Sequence, residues 1–177
     1  MTRGEAMELP GSGYLYTIAA LAMTFVGFTT IVLVFRQNMK ASPITALHSH
    51  GYMEHGFSAA AFAMLAPLLA TFGLSIPVIW RSTSLIIAIV IIGHHWFTVH
   101  RFLRTTGRPP LRFLINSGIS VIVIVVLLAN AVGSPFDPQL GPVAAAATLR
   151  LFIGAEIFML TFEEFFADSK LAKRKIK

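Results

Sequence analysis

The chain has 177 residues, of which 55% are hydrophobic and only 12% are charged, and its mean hydropathy is +0.73. This composition is typical of a protein dissolved in lipid, and spanning helices of about 20 residues each account for nearly the whole length. The absence of cysteine excludes disulfides, thiolate metal sites and cysteine nucleophiles. The net charge of +6 comes from basic residues beside apolar segments, which favours anionic lipid headgroups and not nucleic acid as the partner.

The first two apolar runs predict helices over residues 14–35 and 56–80. The first run is too long for the core of a signal peptide and no strongly basic segment precedes it, so we expect a retained helix. The second run contains Pro67, which removes a backbone hydrogen bond and should kink the helix. Small residues at helical spacing allow a neighbouring helix to approach this run closely, and they are Ala59, Ala63, Ala66 and Ala70.

Three further runs complete an all-α fold with one transmembrane domain over residues 1–177. The predicted helices cover residues 84–100, 113–132 and 142–166, and residues 167–177 form a basic tail. Ser82–Ser84 supply candidate N-caps for the third helix, which is the shortest of the five predicted spans. Pro142 fits the first position of the fifth helix, where a missing N–H costs nothing.

Lysine and arginine are distributed unequally between the two sides of this predicted bundle. If the N-terminus is outside, the outer segments hold only Arg3 and Arg81, whereas every inner connection and the C-terminal tail are basic. The positive-inside rule therefore predicts an outer N-terminus and a cytoplasmic C-terminus. We expect a multi-pass protein of the cell membrane, typical of a bacterial inner membrane, with anionic lipids at the basic cytoplasmic face.

All six histidines fall on the predicted cytoplasmic side. They are His48, His50, His55, His94, His95 and His100. A short turn near Arg81 makes the second and third helices antiparallel neighbours, so the inner ends should lie close together. Imidazole is a common ligand of metals and haem, and the candidate ligands are His55, His94, His95 and His100. The alternative is that these side chains only contact headgroups and water at the membrane interface.

The fifth predicted helix is the only one with formal charges inside it. These residues are Arg150, Glu156, Glu163 and Glu164. Ionisable residues within a span are functional candidates by default, and Glu156 shares a helical face with Glu163, seven residues later. The alternative is a structural pair in which Glu156 bonds Arg150 of another subunit, Asn130, or a hydroxyl such as that of Thr29.

The depth of Glu163 and Glu164 in the membrane matches that of His94 and His95. Because polar groups at this depth need partners, we expect a hydrogen bond between one of these imidazoles and one of these carboxylates.

No motif in the sequence indicates a reaction. The chain lacks HExxH, GxSxG, a P-loop and a dinucleotide fingerprint, so nothing points to an enzyme. The intramembrane carboxylates favour an oligomeric ion or proton conduit, either a channel or a small transporter. A metal- or haem-binding membrane protein and an accessory subunit of a larger membrane complex are the alternatives.

Overall fold

The computed structural model describes the backbone of residues 9–36, 43–107 and 111–174, and the side chains of 9–34, 51–104, 107, 111–160, 162 and 163. Every regular element in these ranges is an α-helix. The helices are α1 (Ser12–Arg36), α2 (Pro43–Ala70), α3 (Ile76–Thr106), α4 (Leu111–Val132) and α5 (Leu140–Arg174). All five are long and apolar enough to cross a membrane, which confirms the predicted number of helices and indicates a membrane location.

The boundary between the second and third helices differs from the prediction. The predicted helix over residues 56–80 is interrupted, because α2 ends at Ala70 and α3 begins at Ile76. Gly73 adopts a left-handed φ of +70° in the turn, and Ser75 is the extended N-cap residue of α3. The apolar character of the chain continues through this turn, so hydropathy alone does not show it.

The other helices are also longer than predicted. Thr83 and Ser84 are not caps but fully buried residues inside α3, which has 31 residues and is longer than α4 with 22. The α5 helix continues through the predicted tail as far as Arg174. Hydropathy marks only the part of a helix that lies in lipid, whereas the hydrogen-bonded backbone extends into the polar region beyond it.

The α2 helix occupies the centre of the bundle and packs against α1, α3 and α5, while α3 packs mainly against α4. The predicted close approach occurs within the chain, because Ala59, Ala63 and Ala66 are fully buried in the single molecule. Gly56 lets α1 approach α2, since a Cβ at this position would come 2.5 Å from Val26 Cγ2. The alanine face is therefore already used inside the chain and gives no support to the predicted oligomer.

The two ends of the bundle are built differently. We call the end that holds the α3–α4 connection and the C-terminal part of α5 the basic end, and the end with the α2–α3 turn the opposite end. Apolar side chains fill the bundle towards the opposite end, among them Leu15, Ile79, Ile87, Leu127 and Val143. The α4 helix is the least buried of the five candidate spans and packs against α3 and α5.

A buried cluster of hydrogen-bonded polar groups lies at the opposite end. The Asn130 side chain donates to Ser84 Oγ at 2.7 Å and to the Gln139 carbonyl at 3.0 Å. Its own oxygen accepts from the Gln139 backbone N–H at 2.9 Å. Because lipid offers no alternative partner, these bonds fix the α4–α5 connection against α3.

Candidate binding cavity

A cavity of about 580 Å³ lies at the basic end between α2, α3, α4 and α5. Aromatic and aliphatic side chains form part of its wall, and polar groups from all four helices form the rest. The charged lining residues are Glu54, Arg101, Arg112, Glu156 and Glu163. A space of this size, with convergent polar groups in an apolar surround, is typical of a small-molecule site.

Three of the candidate histidines lie next to one another along the cavity wall. The His55 ring in α2 is 5.2 Å from the His94 ring in α3, and the His94 and His95 ring centroids are 6.0 Å apart. His100 is exposed and does not line this space. The side chains of His48 and His50 fall outside the described residues.

Hydrogen bonds determine which nitrogen of each neutral ring carries its proton. Arg150 Nη1 donates to His55 Nδ1 at 3.0 Å, and because arginine can only donate, the proton of a neutral His55 is on Nε2. His95 Nδ1 lies 3.0 Å from the Ile91 carbonyl, which can only accept, so His95 carries its proton on Nδ1. Thus His55 offers a donor at Nε2 and His95 offers a lone pair at Nε2.

Arg150 lies in the part of α5 that is long and apolar enough to cross a membrane, and only 3% of its surface is exposed. Its guanidinium carbon is 5.8 Å from the centroid of the Phe62 ring, and Nη2 has no hydrogen-bond partner among the described groups. Arg150 does not line the cavity but is bonded behind His55, and Glu54 is the acidic group that attracts it. Arg150 is therefore a buried fixed cation beside the end of the cavity that lies deepest in the bundle.

Gly154 allows α5 to approach α2 closely at the Arg150–His55 contact. A Cβ on Gly154 would come 3.2 Å from His55 Cβ and 3.4 Å from the Tyr52 carbonyl oxygen, so a larger residue would require the helices to shift by a few tenths of an ångström. Gly51 faces Ile157 in the same interface, where a Cβ would come 3.6 Å from its side chain. This close approach brings the Arg150 guanidinium within reach of His55.

Glu156 bonds Asn116, which is not among its predicted partners. Asn116 Nδ2, on α4, donates to Glu156 Oε2 at 3.0 Å, and both side chains line the cavity. Asn130 bonds Ser84 and Gln139, and Thr29 donates to the Val26 carbonyl, so neither bonds Glu156 among the described side chains. The pair with Arg150 of another subunit stays a prediction. The Asn116 amide inside an apolar helix indicates that a polar partner is needed, but that partner is 40 residues away and the sequence does not identify it.

The structure brings Glu163 to the same cavity as Glu156, in agreement with their predicted shared face. The Glu164 side chain lies outside the described residues. The expected bond between an imidazole and Glu163 is not formed among the described side chains. His95 Nδ1 bonds the Ile91 carbonyl and His94 Nε2 lies 3.5 Å from the Thr98 hydroxyl, and both of these partners belong to α3.

The described side chains contain no group of three or more histidines, aspartates or glutamates placed to hold a metal ion. A haem needs only one or two protein ligands, and the bond from His95 Nδ1 to the Ile91 carbonyl leaves Nε2 with the lone pair that such a ligand uses.

Comparisons with protein-family models, with curated proteins and with solved structures returned no match.

Proposed function

We propose that the chain is a small membrane transport protein that binds its substrate in the cavity at the basic end. The observation that carries this proposal is the position of Glu156, whose carboxylate lines a cavity within the membrane-spanning bundle and is oriented by Asn116. Asn116 donates one hydrogen bond to this carboxylate and leaves most of its acceptor sites open, so a transported cation or proton gives the charge a partner. In the proposed orientation, the cavity opens towards the cytoplasm.

The packing supports a carrier over a continuous pore. Between the cavity and the opposite end lie the apolar cluster around Leu127 and Val143 and the satisfied bonds of Asn130. Arg150 adds a fixed positive charge beside the end of the cavity that lies deepest in the bundle, where it repels cations. A substrate bound at Glu156 can therefore cross only if the helices repack, and the sparsely buried α4 is the element we expect to move.

The proposal is tested with Glu156→Gln, which keeps the shape of the side chain and removes its charge. Losing a charge-assisted ligand contact of about 1.5–3 kcal/mol should lower proton or monovalent-cation flux in proteoliposomes about ten- to a hundredfold. Asp137→Asn is the matched control, because it removes an exposed carboxylate in the α4–α5 connection, at the opposite end from the cavity. Equal flux through the unmodified protein and Glu156→Gln would contradict the proposal.

A second candidate function is haem binding, and the hydrogen bond of His95 favours it. Axial histidines commonly donate Nδ1–H to a carbonyl and bind the metal through Nε2, which is the arrangement of His95 with Ile91. Phe113 packs 6.1 Å from the His95 ring in the same wall. A Soret band in the purified protein that His95→Ala abolishes and His100→Ala retains would establish this function in place of transport.

A further inference from the structure

The size of the cavity restricts the class of molecule that it binds. A volume of about 580 Å³ falls within the range of about 300–1,000 Å³ that is typical of sites for organic ligands. A bare inorganic cation needs several converging ligand atoms and little space, yet no metal-holding group exists among the described side chains. The cavity is therefore better matched to an organic molecule than to a single ion.

Aromatic rings form one wall of this space. The Phe102 and Phe113 ring centroids are 5.0 Å apart, and Phe97 and Leu160 also line the cavity. Aromatic faces bury apolar groups and also attract a positive charge placed above them. This wall suits a ligand whose body is aromatic or aliphatic.

Carboxylates define the preferred charge of the ligand. Glu156 and Glu163 are about 10 Å apart along one face of α5, and Glu54 lines the cavity from α2. Two arginines also line it; Arg101 is partly buried, whereas Arg112 and all three carboxylates are exposed. The carboxylates thus outnumber the lining arginines, and Glu156 is held in place by Asn116.

The buried arginine also limits how deep a cation can go. Arg150 lies behind His55 and is only 3% exposed, so its charge is poorly screened. A cationic group in the cavity is repelled from the His55 side and attracted to the Glu156 side. The charge of the ligand is then expected at the level of Glu156, with the apolar body against the phenylalanines.

We infer that the substrate is an amphipathic organic monocation, with its charge at Glu156 and its apolar groups against Phe102 and Phe113. This inference rests on the proposed transport function and names the substrate class of that same cavity. It requires no covalent step.

The test measures binding of tetraphenylphosphonium to the purified full chain by equilibrium dialysis, with empty micelles subtracted. Tetraphenylborate is the matched probe, because it has the same shape and the opposite charge. We expect saturable binding of the cation, at least tenfold weaker binding of the anion, and an affinity for the cation that Glu156→Gln lowers at least tenfold. Asp137→Asn should bind as the unmodified protein does.

Phe113→Leu keeps every carboxylate and should weaken tetraphenylphosphonium binding about three- to tenfold, which provides a second test if Glu156→Gln does not fold. Absence of saturable cation binding, equal binding of the two probes, or unchanged binding in both variants would overturn the inference. Proteoliposomes separate this inference from the transport proposal. If tetraphenylphosphonium binds but no flux is measured, the binding site is supported and the transport proposal is refuted. If proton or potassium flux depends on Glu156 but tetraphenylphosphonium does not bind, the transport proposal is supported and the substrate class is refuted.

Discussion

Replacing His55 with leucine should destabilise the protein far more than replacing Arg150 with leucine. In His55→Leu the guanidinium loses its only hydrogen-bonded partner among the described groups, and Nη1 becomes unpaired beside the already unpaired Nη2. A hydrogen bond to a charged group contributes about 1.5–3 kcal/mol, and the stranded cation adds to this loss. We expect the free energy of unfolding to fall by about 2–4 kcal/mol.

Arg150→Leu removes the same hydrogen bond but also removes the desolvated charge. The loss includes the contact with Phe62, about 1–2 kcal/mol, and an unpaired neutral acceptor on His55. The gain is relief of a desolvation cost of several kcal/mol, so the net change should be within about 1 kcal/mol of zero. The double variant should resemble Arg150→Leu, which corresponds to a coupling free energy of about 2–4 kcal/mol in magnitude.

The assay is reversible unfolding in mixed micelles with increasing sodium dodecyl sulfate, followed by tryptophan fluorescence. Trp80 is buried in the core and reports unfolding, while exposed Trp96 is replaced by phenylalanine in every variant. Equal losses in the two single variants, or additive losses in the double variant, would refute the idea that Arg150 is a stranded charge without His55.

Two further predictions concern the opposite end and the orientation. Asn130→Ala removes three hydrogen bonds to Ser84 and Gln139, each contributing about 0.6–1.5 kcal/mol, so the free energy of unfolding should fall by about 2–4 kcal/mol in the same micelle assay. A loss below about 0.5 kcal/mol would show that water replaces these bonds. Single cysteines are introduced into this cysteine-free chain at Asp137 or at Lys173. The cysteine at position 137 should react with an impermeant maleimide in intact cells, whereas the cysteine at position 173 should react only in inverted vesicles. The opposite pattern of labelling would reverse the predicted orientation.

Part of the candidate site was predictable from helical periodicity. Glu156 and Glu163 are seven residues apart, which is close to two turns, and both line the cavity. The partners of the polar groups were not predictable, because the Arg150–His55 bond depends on how close α5 comes to α2 at Gly154. The spacing of residues in the sequence predicts which side chains share a face of one helix, but it does not predict how that helix is rotated against another.

The number of helices followed from the sequence alone. In lipid, a backbone group must find its hydrogen bond within its own segment, so each long apolar run that crosses the bilayer becomes a helix whatever its neighbours are. The turn between α2 and α3 did not follow from hydropathy, since apolar residues such as Phe72 and Leu74 continue through it. The backbone, with Gly73 at positive φ, decides where the chain reverses.

The sequence by itself thus determined an all-helical chain with five apolar helices and charges concentrated in the fifth. Only the tertiary structure decided that Arg150 bonds His55, that Asn116 bonds Glu156, and that His95 bonds a carbonyl of its own helix. The physical reason is that helix formation in a membrane depends on local hydropathy and hydrogen bonding. The pairing of polar groups depends instead on the rotation and close approach of helices that are distant in sequence.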